Sequence, residues 1–173
     1  MAARKGTKRV IRQRKPAYET IGVRGFARVQ VGERQADGGL RIVGDSGWIY
    51  NTFTAFGKND YIAGKIGGVT NSKTPTHLVV ATQSTAVDST QTVLVGEHTV
   101  RVALTPTTVA NGTLRMTGSY GSAQNDAAKT IGTIGVHNTS TNGAGSLASG
   151  QTYTTSQWAT NQDVSMSYEW RFS

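Results

Sequence analysis

Hydrophobic and polar residues alternate strictly in two long stretches near the ends of the chain, the period-two signature of a half-buried strand. In the first, Ile21, Val23, Ala27, Val29 and Val31 point one way and Arg24, Arg28 and Gln30 the other, with Gly25-Phe26 marking an irregularity. In the last, Val164, Met166, Tyr168, Trp170 and Phe172 alternate with Ser165, Ser167, Glu169 and Arg171. That aromatic face predicts a terminal strand locked into a sheet. Asp37-Gly38-Gly39 before Leu40–Val43 and Asn111-Gly112 between Thr99–Val109 and Thr113–Tyr120 predict two hairpins. His77–Ala81 is a short apolar run suited to a buried strand; Val93–Val95 and Ile131–Val136 supply two more.

One stretch breaks the pattern. Residues 51–66 predict the only helix, capped by Asn51 or Thr52, with Phe53, Phe56, Ala63 and Ile66 on one face and Gly67-Gly68 as its stop. Gly57 and Gly64 weaken it. Ser84–Thr92, Asn138–Gly150 and the region around Gln151–Gln162 are too rich in Ser, Thr, Asn, Gln and Gly for anything but loops. About eight strands result, and the fold class they predict is mainly β. The architecture is a β-sandwich or jelly-roll-like domain over 18–173, with one short helix and an extended basic N-terminal arm over 1–17.

Composition sharpens the picture in three places. The 173 residues suit one domain with an appendage. Cysteine is absent, which removes disulfides, thiolate metal sites and a cysteine nucleophile. No apolar run approaches the ~18 residues of a membrane span, and the basic N-terminus lacks the apolar core of a secretory signal. No membrane partner and synthesis in a cytoplasm are therefore expected.

The net charge of +8 lies almost entirely in the arm. Arg4, Lys5, Lys8, Arg9, Arg12, Arg14 and Lys15 face no acid before residue 16, whereas the remainder holds eleven cations and ten acids. Seven cations in fifteen residues suit polyphosphate or an acidic protein surface. On phosphates they would give a salt slope of about −6, without sequence preference. A solvated solubilising tail, or an arm laid across a neighbouring subunit, fits the same residues.

Catalytic chemistry finds little purchase. His77, His98 and His137 are scattered without a metal-ligand spacing, so neither a metal nor a cofactor is expected. Gly44-Asp45-Ser46-Gly47 superficially matches the surroundings of a protease serine, but every histidine comes later and turn chemistry explains it. Asp88, Asp126 and Asp163 fall in polar stretches where an Asp bonds nearby N–H groups. The chain is expected not to be an enzyme. Trp158, with Tyr153 nearby, offers a stacking platform for a sugar, against the commoner fate of a buried aromatic.

One ordered set of segments resembles a family. Gly47-Trp48-Ile49-Tyr50-Asn51 leads into Phe56-Gly57-Lys58 and Ile62-Ala63-Gly64-Lys65-Ile66, then the apolar strand with Thr82-Gln83-Ser84-Thr85. Ile134-Gly135-Val136-His137-Asn138, a Gly/Ser loop and the terminal strand to Phe172 follow. Over roughly residues 40–173 this is similar to small β-sandwich virion proteins of tailed bacteriophages, of capsid-decoration, tail or baseplate type. The resemblance implies a non-catalytic, oligomeric protein assembled into a virion in the host cytoplasm, with its own copies and other virion proteins as partners. The basic arm lies outside it. The alternative reading is a viral coat protein whose arm binds the packaged genome, nucleic acid then being a partner.

Overall fold

The computed structural model describes residues 22–110 and 112–173. The seven cations of the arm and Ile21 lie outside them, as does Asn111 of the second hairpin turn.

The chain is mainly β, as the alternation predicts, and folds into two antiparallel sheets. In chain order the elements are β1 Val23–Arg34, β2 Leu40–Asp45, β3 Ile49–Tyr50, β4 Thr52–Phe53, a π-helical segment Gly57–Ala63 and α1 Gly64–Ile66. Then come β5 His77–Ala81, β6 Val102–Ala103, β7 Thr105–Ala110, β8 Thr113–Tyr120, a 3-10 turn Ser122–Gln124, β9 Lys129–His137, β10 Leu147–Trp158 and β11 Gln162–Phe172. The larger sheet runs β2-β1-β11-β8-β7, with β3 beside β2 along the same edge of β1. The smaller runs β4-β10-β9-β5-β6.

Both sheets contribute to one core. Ala27, Val29, Val31, Met116, Val164, Met166, Tyr168 and Trp170 from the larger sheet meet Leu78, Val80, Ile131, Ile134, Val136 and Trp158 from the smaller. The terminal strand β11 lies between β1 and β8, paired along its length with both, so its alternating face fills the middle of that core. β1 also runs without interruption. Gly25 and Phe26 stay in register with Trp170 and Glu169, and the glycine is required because a Cβ there would fall 1.8 Å from the Asn51 side chain.

The outer faces of the two sheets differ. Val79, Ala81 and Leu147 on the outside of the smaller sheet are covered by Val87 and Leu94 from the loop that links β5 to β6. This double burial is why His77–Ala81 reads as a continuous apolar run. The expected strand Val93–Val95 is part of that loop instead. The outer face of the larger sheet has no such cover among the described residues.

Two further expectations change. The helix begins later than residue 51: Thr52–Phe53 is strand, and the Thr54 hydroxyl, accepting the Gly57 N–H at 3.0 Å, occupies the capping position. Its buried face is Gly57, Tyr61 and Gly64, while Ala63 and Ile66 point outward. The region expected to be loop from residue 147 onward is β10, a twelve-residue strand against β9.

Candidate interaction surface

The open face of the larger sheet carries a connected strip of cations and rings. Period two turns Arg24, Phe26, Arg28 and Gln30 of β1 outward, beside Ser165, Ser167, Glu169 and Arg171 of β11 and Arg115, Thr117 and Ser119 of β8. Glu169 sits in the middle, only 3% exposed despite its outward position. Arg115 donates to one of its oxygens at 2.9 and 2.5 Å, and Arg171 to the other at 2.9 and 2.6 Å. Partial burial alone would raise its carboxyl; the two guanidiniums outweigh that and hold it below the usual carboxylate range.

Rings frame this pair. The Arg171 guanidinium lies 4.1 Å from the centre of the Phe26 ring, and Arg115 lies 5.8 Å from that of Trp48. Tyr50, opposite Phe26 in the β1–β3 pairing, tilts against it at 4.7 Å and is 66% exposed. Arg24, Phe26, Tyr50, Arg171 and Ser173 line an open cleft of about 430 Å³. Phe26 is the sequence signal for this surface: it is an aromatic residue in phase with the polar positions of its strand.

The edge beside this face is apolar. β2 pairs only with β1 among the described residues, and its other side is unpaired. Leu40, Ile42 and Val43 on β2, with Trp48 and Tyr50 beyond the turn, are exposed large hydrophobic side chains within eleven residues. Edge strands normally carry charge or cover to prevent pairing. This one carries Arg41 and Asp45, each held by β1: Arg41 to Glu33 at 2.5 Å and Asp45 to Arg28 at 2.5 Å. Bonding to Arg28 first, then to the Gly47 N–H and Gln30, outweighs partial burial and brings the Asp45 carboxyl down to about 2.

The other sequence candidates resolve as follows. In Gly44-Asp45-Ser46-Gly47, Ser46 Oγ accepts the Val29 N–H and Asp45 accepts that of Gly47, which has φ +65°. The motif is the turn that passes the chain from β2 to β3. Trp158 is fully buried and donates its indole N–H to the Gln162 carbonyl at 2.8 Å, so it offers no platform to a sugar; Tyr153 packs against the same core. Asp88 accepts the Thr90 N–H at 2.7 Å, as a loop Asp should, but Asp163 is in β11, paired with Arg34 at 2.8 Å.

The histidines fall close to the smaller sheet. His77 and His137 are cross-strand partners, and His98 is wedged between the Tyr120 and Trp158 rings at 4.9 and 5.0 Å. His137 Nε2 lies 3.1 Å from Glu97, which also takes two bonds from Arg101 at 2.7 and 3.0 Å. The Glu97 and Arg101 side chains are 2% and 0% exposed. Burial would raise the Glu97 carboxyl, but His137, the Leu94 N–H and Arg101 bring it down to about 2. Burial lowers His137, only partly offset by Glu97, which leaves the imidazole neutral near pH 7. Among the described residues no three His, Asp or Glu side chains converge as metal ligands, and no helix is long and apolar enough to cross a membrane.

No protein-family profile matches the chain, and no curated protein and no solved structure shows significant similarity to it.

Proposed function

We propose that this chain is a non-enzymatic structural protein of a bacteriophage virion, attached to capsid or tail and assembled through contacts between subunits. The observation that supports this best is the unpaired edge over residues 40–48, with four exposed apolar side chains on and beside an open strand. A strand edge of this kind is completed by another chain. The phage part of the reading rests on the resemblance of residues 40–173.

The arm then serves as an anchor, and the carboxylates of the body bear on what it anchors to. Nine of the ten acids lie in the described residues, and seven are held in ion pairs at 2.5–3.2 Å. Asp37 and Asp88 remain, each accepting an N–H of its own turn. The described residues of another copy offer too little free negative charge for Arg4, Lys5, Lys8, Arg9, Arg12, Arg14 and Lys15. The anchoring surface therefore belongs to a different, acidic virion protein.

The same shortage of carboxylates suits the second reading, a coat protein whose arm neutralises packaged nucleic acid. Light scattering with absorbance at 260 and 280 nm separates the two, applied to the full chain and to a chain beginning at Ala17. Small discrete oligomers and no nucleic-acid-filled shells are expected from both, the oligomers reduced to monomers by Ile42→Lys with Val43→Lys. Nucleic-acid-filled shells from the full chain alone would establish the coat reading. A full chain that is monomeric at every concentration would remove the edge as an assembly surface.

A further inference from the structure

We propose that the cleft formed by Arg24, Phe26, Tyr50 and Arg171 binds single-stranded nucleic acid, a base stacking on Tyr50 and a phosphate lying between the two arginines. The site is on the folded body, separate from the arm, and does not depend on the assembly reading.

The first argument is a charge conflict in the sheet. Arg24 and Arg171 are direct cross-strand partners on β1 and β11. Like charges facing each other across an antiparallel pair destabilise it, by an amount comparable to the ~0.2–1 kcal/mol that opposite charges contribute. Arg171 is relieved by Glu169, but Arg24 has no carboxylate within ion-pair distance among the described residues. An anion between the guanidiniums removes the conflict, and among the described residues no carboxylate is free nearby to do so. Arginine is suited to the task, since its planar fork matches phosphate oxygens.

The second argument concerns the rings. Tyr50 is the most exposed aromatic side chain of the described residues, yet it is not loose: Phe26 supports it from below, and Phe26 is itself sandwiched by Arg171. A fixed, solvent-facing ring beside paired cations is the arrangement that holds unpaired bases, because every base has a π face and stacking needs no sequence. A duplex hides those faces, and an acidic peptide would engage the arginines without using the ring.

The third argument is continuity. Gly22 exchanges hydrogen bonds of 2.7 and 2.9 Å with Ser173 at the rim of this cleft. The seven cations between Arg4 and Lys15 precede Gly22 in the sequence, and in the free, unassembled protein they add sequence-independent attraction for the same polyanion. Ser165, Ser167, Thr117 and Ser119 extend the outer face beyond Arg28, small hydroxyl side chains that leave a path for a strand across the sheet.

Fluorescence anisotropy of the full chain with labelled oligothymidylate of about 16 nucleotides, titrated at several salt concentrations, tests the proposal. Tyr50→Ala is expected to weaken binding about 5- to 150-fold, and Tyr50→Phe to keep it. Arg24→Gln should reduce the magnitude of the salt slope by about 0.7. All three variants retain the arm, so the differences isolate the sheet surface, and their thermal melts verify that the fold is kept. Wild-type affinity and slope in both Tyr50→Ala and Arg24→Gln would assign binding to the arm alone and overturn the proposal. So would a duplex or polyglutamate of equal charge competing as well as the oligonucleotide, or no binding to oligothymidylate at low salt.

Discussion

Arg101 shows how much one buried charge can fix. Its guanidinium neutralises Glu97 and also donates to the carbonyls of Ala144 and Thr139 at 2.8 and 3.2 Å, pinning the loop between β9 and β10 to the smaller sheet. Removing it strands a buried carboxylate, a defect that costs about 3–5 kcal/mol. Arg101→Leu should therefore lower the urea-unfolding free energy by that amount. Adding Glu97→Gln to Arg101→Leu should recover part of the loss, because the two residues act as one unit. In contrast, Arg28→Ala at the solvent-screened surface pair with Asp45 should leave the urea midpoint close to that of wild type. Strictly additive losses at Glu97 and Arg101 would mean that they do not form a coupled pair. Glu97 and Arg101 are near in the chain, but their burial and their meeting with His137 are not readable from spacing, because they come only from β9 lying beside β5 and the following loop returning across it. The arm is the opposite case. Its charge is plain in the sequence, and it lies outside the described residues. Phe26 was visible as an aromatic on a polar face, but its meaning depends on Tyr50, which reaches it through the β1–β3 pairing.

Among the elements, those with one buried face and one wet face were legible, and those buried on both faces or made of small residues were not. β1 and β11 alternate because only their inner face meets the core, and the sequence carries that period directly. β10 carries no strand period because Leu147-Ala148-Ser149-Gly150 is buried at every position, which erases the alternation, and the rest of the strand is rich in Thr, Ser and Gln. The helical segment is legible, but its buried face is not, because its glycines lower helix propensity while making the contact that buries it. Gly57 packs so closely on β10 that a Cβ would lie 1.8 Å from the Ala148 carbonyl oxygen. Gly57→Ala should thus destabilise the protein by about 1–3 kcal/mol through overpacking, even though alanine favours a helix by about 1 kcal/mol. Lys58→Ala, next to it and exposed, should stay within about 0.5 kcal/mol in the same thermal or urea series. A Gly57→Ala protein as stable as wild type would show that β10 and the helix can separate without cost.

At the scale of the whole molecule, the buried histidines and the paired carboxylates push stability in one direction with pH, and the buried tyrosines, raised by burial, push the other way only in the alkaline range. His98 and His137 are held below their ordinary value of 6.5, chiefly by burial. An unfolded chain takes up those protons as pH falls below about 6.5 while the folded chain refuses them, so stability is present above that value and declines beneath it. Asp45 and Glu97 are held at about 2, against ordinary values of 3.8 and 4.5. Their contribution is present above those ordinary values and is lost as pH falls from there towards 2. On the acid side two stages follow, a histidine stage and then a carboxylate stage, below a plateau at neutral pH. The urea midpoint should fall between about pH 7.5 and 5.5 and fall again below about pH 4.5. His98→Phe keeps an aromatic ring between Tyr120 and Trp158, so it should shrink the upper stage and leave the lower one intact. A midpoint unchanged between about pH 7.5 and 5.5 would mean that both imidazoles charge freely in the folded state, against their burial beside Trp158 and Arg101.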